Sequence, residues 1–248
     1  MNHLLDAAVK AHGGLDAWNR LESVWVDLSI GGALWDLKDQ AGLFTVGTYE
    51  ADLRRQRATL GHSRGANRRV RFSPGRLSLE TNDGATLEVR ENPRSAFAGH
   101  VNETPWDELH AAYFTGYALW TYLTLPFLYT YPGFETEEIA PWSEEGEQWR
   151  RLRVTFPDSV ASHAREQVSY FGPDGLLRRH DYAVDVLGGS EGAHYVHDFH
   201  EHDGIKVPYR RRVYPRGPDN IKLAQPILVS IDIKSVRFAR ADRSRIGA

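Results

Sequence analysis

The chain of 248 residues is 41% hydrophobic and 25% charged with a formal net charge of −3, ordinary for a globular protein and without the basic excess of a nucleic-acid binder. It contains no cysteine, which excludes disulfides, thiolate metal sites and cysteine nucleophiles. One β-rich domain over residues 1–248 is the expectation at this length.

The opening stretch MNHLLDAAVKAHGG has neither a basic leader nor a long apolar core, so a cytoplasmic location is expected. Leu4, Leu5, Ala8 and Val9 recur at helical spacing and Gly13-Gly14 stop the helix, with a second short helix to Leu21. From Ser23 the period becomes two: Val24, Val26, Leu28 and Ile30 alternate with Trp25, Asp27 and Ser29. Strands are predicted over 44–53, 56–60, 68–72, 76–80 and 85–90, an up-and-down meander over 23–90. Ser73-Pro74-Gly75 and Asn82-Asp83-Gly84 supply turns within it.

A long helix over 104–125 interrupts the meander, with Thr104-Pro105 at its start and Pro126 at its end. Residues 111–131 carry no charge, but their tyrosines, threonines, Gly116 and Pro126 argue against a membrane span. An all-round apolar helix in a β-rich chain reads as a plug packed against a sheet. Glu135 to Glu138 and Pro141 to Glu147 read as an acidic linker, and the meander resumes over 149–238. The polar tail from Ala239 is expected to fray. The fold class predicted is mainly β with helices (α+β): a large curved antiparallel sheet forming an incomplete barrel around a central helix.

Two hairpins over 176–214 hold the best candidate site. Gly188-Gly189-Ser190-Glu191-Gly192 breaks the first and Asp203-Gly204 the second, a pair suited to the positive φ of a tight turn. Symmetric closure would set His180 opposite His200, Tyr182 opposite Asp198 and Val186 opposite His194. Across the second turn, Asp198 would meet Tyr209 and Val196 would meet Arg211. One face then carries valines together with His180, Tyr182, His194, Asp198, His200, Tyr209 and Arg211, and titratable groups on such a face need partners or a ligand. The other face, with Asp181, Asp185, His197, Glu201, Arg210 and Arg212, reads as solvated. A one-residue slip would invert the assignment.

The AHGG helix stop, LDAWNRLESV leading into the first strand, the central helical plug and the late FGPDGLLRRHDY … HDGIKVPYRRRVY pattern together resemble the LolA/LolB/LppX-like superfamily. The resemblance implies a curved half-barrel whose concave cavity carries a lipid or lipoprotein. The block WDELHAAYFTGYALWTYL at 106–123 is also similar to one in a family of uncharacterised bacterial proteins.

Candidate chemistry follows from these placements. His180, His194 and Asp198 are the candidate acid–base residues, since a strand histidine oriented by a carboxylate titrates near working pH. The same histidines with His200 offer a weaker alternative as metal ligands, although no metal or other cofactor is expected. Tyr113, Tyr117 and Trp120 form an aromatic stripe suited to an apolar ligand, with Tyr182, His200, Tyr209 and Arg211 fixing its polar end. Asp107 and His110 read as a helix cap and its neighbour. Ser162-His163 is adjacent in sequence and does not read as a nucleophile–base pair. The first reading is a soluble binding protein for a small hydrophobic molecule or lipid. A cofactor-free cyclase, isomerase or hydrolase acting on such a molecule is the alternative, and a metalloenzyme is the third. Exposed sheet edges would suit a homodimer.

Overall fold

The computed structural model describes residues 2–61 and 67–240. Two short helices, α1 (His3–Ala11) and α2 (Leu15–Trp18), lead into β1 (Leu21–Gly31), which is followed by α3 (Ala33–Leu37). The first meander is β2 (Gly47–Asp52), β3 (Ala58–Gly61), β4 (Arg68–Ser73), β5 (Arg76–Thr81) and β6 (Thr86–Glu91). Helix α4 (Glu108–Thr124) then leads to β7 (Glu135–Glu144), β8 (Glu147–Thr155), β9 (Glu166–Phe171) and β10 (Leu177–Val184). The chain ends with β11 (Ser190–His202), β12 (Ile205–Pro215) and β13 (Val229–Arg240). The part of the tail beyond Arg240 lies outside the described residues, while Ala239 and Arg240 are still paired in β13.

The thirteen strands of the described residues form one antiparallel sheet in the order β6-β5-β4-β3-β2-β1-β13-β12-β11-β10-β9-β8-β7, curved but not closed. Each meander pairs with its own neighbours, and the first and last strands join the halves, with Val26 opposite Val236. The two free edges, β6 and β7, are joined in sequence by the segment that contains α4. That connection lays the helix across the concave face, where fifteen of its seventeen residues are buried. Both edges are charged: β6 carries Glu88, Arg90 and Glu91, and β7 carries Glu135, Glu137, Glu138 and Pro141, which discourage pairing with another chain.

Alternation builds the concave core directly. Val24, Val26, Leu28 and Ile30 of β1 face inward with Tyr49, Leu60, Val70, Leu152, Val154 and Ile231 from other strands. Helix α4 approaches closely because Gly116 lacks a side chain; a Cβ there would sit 2.6 Å from the Phe72 ring. The Tyr49 hydroxyl reinforces the contact by donating to the Gly116 carbonyl at 2.8 Å.

Four expectations need correction. The helix starts at Glu108 rather than at 104: Asp107 is its cap, accepting from the His110 amide at 2.8 Å, and its carboxylate also binds Arg90. The acidic linker is strand β7, whose glutamates pair with arginines on β8, as Glu138 does with Arg150. The first hairpin closes differently because residues 185–187 form a helical turn before Gly188 and Gly189. His180 therefore faces His194, and Tyr182 faces Gly192. The second turn closes as expected, with Asp203 and Gly204 at φ 51° and 83° and Val196 opposite Arg211.

The fourth correction concerns sidedness. Asp198 has a left-handed φ of 61°, which breaks the alternation along β11. Phe199 packs inward against His12, while Asp198 and His200 are exposed and bind each other at 3.1 Å. On the opposite face Asp181 is buried, not solvated. It holds the fully buried Arg179 guanidinium in a two-point contact at 2.6 and 2.8 Å, beneath Trp149, Tyr170 and Tyr195.

Candidate functional site: a cavity above a buried polar layer

Between α4 and the strands β1 and β10–β13 lies a cavity of about 360 Å³. Phe114, Thr115, Ala118, Leu119 and Tyr122 of α4 form one wall. Ile30, Val184, Leu187, Val213, Val229 and Ile231 form most of the other, with Trp35 and Leu34 of α3 at the side. Its mouth is marked by the exposed residues Leu37, Asn102, Glu191 and Pro226. The lining is overwhelmingly apolar, the pattern of a site for an uncharged chain or ring with few polar contacts. Two polar atoms of lining residues, Trp35 Nε1 and Thr115 Oγ1, are buried with no hydrogen-bond partner among the described residues.

The lining residues of α4 follow the spacing 114, 118, 122, with 115 and 119 alongside, so this face differs from the aromatic stripe read from the sequence. Tyr113 packs on Phe72 and Phe97, and Trp120 donates to the Asp52 carbonyl at 2.8 Å. Tyr117 turns to His163. None of the three lines this cavity, whereas Tyr182 does. Helix α4 is apolar on all sides, so its periodicity carries no signal for which stripe faces open space.

Beneath the cavity is a layer of buried polar side chains. His163, which sequence reasoning set aside, is its hub: Nδ1 lies 3.2 Å from the Tyr117 hydroxyl and Nε2 lies 2.7 Å from that of Tyr122. The Tyr122 hydroxyl also lies 2.6 Å from that of Tyr182, whose ring stacks on the imidazole at 4.0 Å. A neutral imidazole has one donor and one acceptor nitrogen, so this chain of hydroxyls can be oriented in either direction. Ser162 plays no part; its hydroxyl donates to the Ala164 carbonyl. His163 sits in a non-strand segment between β8 and β9, where no alternation signals which residue turns inward.

Next to the hub, His180 and His194 face each other across β10 and β11 with ring centroids 6.3 Å apart. Neither has a hydrogen-bond partner for either ring nitrogen among the described residues. Arg211 completes the layer. It is buried, donates from Nη2 to the Tyr122 carbonyl at 2.7 Å and lies over the Tyr122 ring. Its Nη1 has no hydrogen-bond partner among the described residues.

Burial keeps these histidines neutral. It pushes His180 down to about 3, and His163 and His194 well below the usual imidazole range, with the neighbouring Arg211 charge adding to the effect at His180 and His194. Burial also lowers Arg211 to about 10 and raises the Tyr117, Tyr122 and Tyr182 hydroxyls. The layer is therefore a set of neutral hydrogen-bonding groups around one guanidinium. An imidazole at about 3 is a weak base at neutral pH, which disfavours the general-base role expected of His180.

The structure thus brings His180, His194, Tyr182 and Arg211 together, and adds His163 and Tyr122. It leaves Asp198, His200 and Tyr209 elsewhere: the Tyr209 ring stacks on His200 at 4.2 Å and its hydroxyl meets His202 at 2.7 Å, in a partly exposed group on the β11–β12 hairpin. Among the described residues no three His, Asp or Glu side chains are grouped to hold a metal ion. No helix of the described residues is long and apolar enough to cross a membrane.

This arrangement, a curved open sheet wrapped on a helix, is similar in fold to a solved LolA superfamily protein. A LolA superfamily protein from Nitrosomonas europaea superposes with a TM-score of 0.51 over 97% of this chain and 94% of that one, at 8% sequence identity. A domain from Vibrio parahaemolyticus named for outer membrane lipoprotein sorting superposes with a TM-score of 0.50 over 98% and 93%, also at 8% identity. The similarity is one of fold. A scan against protein-family models and a search of curated proteins give no match.

Proposed function

We propose that this chain is a binding protein for a small hydrophobic molecule or lipid, held between α4 and the strands β10–β13. The observation that supports it best is the cavity itself, apolar along its walls and open to the surface beside Leu37 and Glu191. Burying about 200 Å² of ligand apolar area there would contribute about 5 kcal/mol before ordering costs. The lipoprotein-sorting name of the Vibrio parahaemolyticus domain with the same fold points the same way. The test is calorimetric titration with decan-1-ol against the wild type and Ala118→Phe, which places a ring in the cavity. Saturable binding that weakens at least tenfold in the variant, with native circular dichroism kept, supports the reading; equal binding by both proteins contradicts it.

A further inference from the structure

The cavity and the polar layer are consecutive levels of one face. Moving two residues along each strand from a cavity-lining position leads from Val213 to Arg211 on β12, from Gly192 to His194 on β11 and from Tyr182 to His180 on β10. Alternation puts each pair on the same side of the sheet, so the polar groups form a floor beneath the cavity, reached past Tyr122 and Tyr182, and do not line it themselves. Tyr122 and Tyr182 belong to both levels: they line the cavity, and their hydroxyls meet at 2.6 Å.

Arg211 on this floor lacks what a buried arginine needs. Arg179, equally buried on the convex face, is neutralised by Asp181 and also binds Glu144 at 3.0 Å. Arg211 has one backbone carbonyl, one tyrosine face and no carboxylate among the described residues, and its Nη1 donates to nothing. The four ring nitrogens of His180 and His194 beside it are also unpartnered among the described residues. Uncompensated buried charge is costly, and so are buried donors without acceptors. An anion at this point would relieve both deficits. Because the histidines are neutral, the floor carries a single positive charge, which a monovalent head balances and a dianion would overshoot. A carboxylate has two oxygens that can accept from Nη1 and from an imidazole N–H together.

We propose that the ligand is a single-headed amphiphile with a carboxylate head, bound head-down at Arg211 with its chain in the cavity. The head displaces the contact between the Tyr122 and Tyr182 hydroxyls, and His180 and His194 serve as neutral hydrogen-bond partners. This rests on the cavity-binding reading above, and one experiment separates the two. Isothermal titration at pH 8, below micellar concentrations, compares decanoate, decan-1-ol and decyl phosphate on the full chain and on Arg211→Met. The expected result is decanoate at least tenfold tighter than decan-1-ol in the wild type. In Arg211→Met that preference falls to within twofold. Arg211→Gln serves as a second neutral variant if Arg211→Met fails to fold, and the wild-type comparison is decisive by itself. Equal affinity for acid and alcohol, or a preference that survives loss of the charge, overturns the carboxylate assignment and leaves the cavity reading intact. Tighter binding of decyl phosphate than of decanoate overturns the monovalent head. Absence of binding by all three overturns both.

Discussion

Acidification is the perturbation with the largest calculable effect on this protein. Among the described residues four histidines are buried in neutral form: His12 is pushed down to about 4 and His180 to about 3 by desolvation, and His163 and His194 lie well below the usual range for the same reason. In the unfolded chain each takes up a proton near pH 6.5. The unfolded state therefore binds more protons, and native stability is fully present above pH 6.5 and lost as pH falls toward the native values. An imidazole held neutral contributes a slope of about 1.4 kcal/mol per pH unit in that window, so His12 and His180 together lose about 4 kcal/mol by pH 5, and His163 and His194 add to the loss in the same direction. That loss is a large fraction of the stability of an ordinary domain. Asp107 and Glu80 are held below the usual carboxylate range by Arg90, His110, Arg69 and Arg71, so their own acid loss falls below this window. Asp181 is raised by burial and acts with the opposite sign, one group against four. Urea unfolding at pH 7.5, 6.5, 5.5 and 5.0, followed by circular dichroism, reads the slope. Steep loss below pH 6.5, with a His194→Phe variant losing about one proton less, is expected. A stability that is flat between pH 7.5 and 5.0 would refute the burial of neutral imidazoles in this layer.

Other consequences concern packing and charge. Gly116→Ala puts a methyl against the Phe72 ring and should destabilise the protein by about 1–3 kcal/mol, measured by chemical denaturation. Arg211→Met removes a buried charge without a counter-ion and should raise ligand-free stability by about 1–3 kcal/mol, whereas Arg179→Met strands Asp181 and should lower it by about 3–5 kcal/mol. Opposite signs in paired thermal melts are the check; a loss in both would mean that Arg211 is satisfied in the ligand-free protein. Leu119→Trp, on the cavity wall, should weaken decan-1-ol binding at least tenfold, while Trp120→Phe, which faces Asp52 instead, should leave it within twofold.

Much of the architecture was legible because it depends on local signals. Alternation in β1, the Asp203-Gly204 turn and the charge-free helix each have one physical reading, and together they required a meander around a plug. Registers and faces were harder. A helical turn at 185–187 shifted the first hairpin, and a single left-handed residue, Asp198, sent Phe199 inward and left His200 in water. Sequence spacing cannot reveal such a phase change, because aspartate adopts positive φ only where the surrounding structure favours it. The partial success of the site prediction follows from this. His180, His194, Tyr182 and Arg211 lie where alternation is regular, and they share the cavity floor. Asp198, His200 and Tyr209 lie at or beyond the irregularity. His163 and Tyr122 went unseen because a non-strand segment and an all-apolar helix carry no periodic signal for direction. The buried Arg179–Asp181 pair was missed for a different reason: charged residues on an alternating strand look solvated until a second layer of aromatic side chains covers them.

The central claim is that the space between α4 and the strands β10–β13 takes an apolar chain. A crystal structure of the protein grown with decanoate tests it most directly. Density is expected for an extended chain beside Phe114, Ala118, Val184 and Val213, ending within hydrogen-bond distance of Arg211 Nη1. Decanoate found only on the outer surface, with side chains closed across an empty cavity, would contradict it.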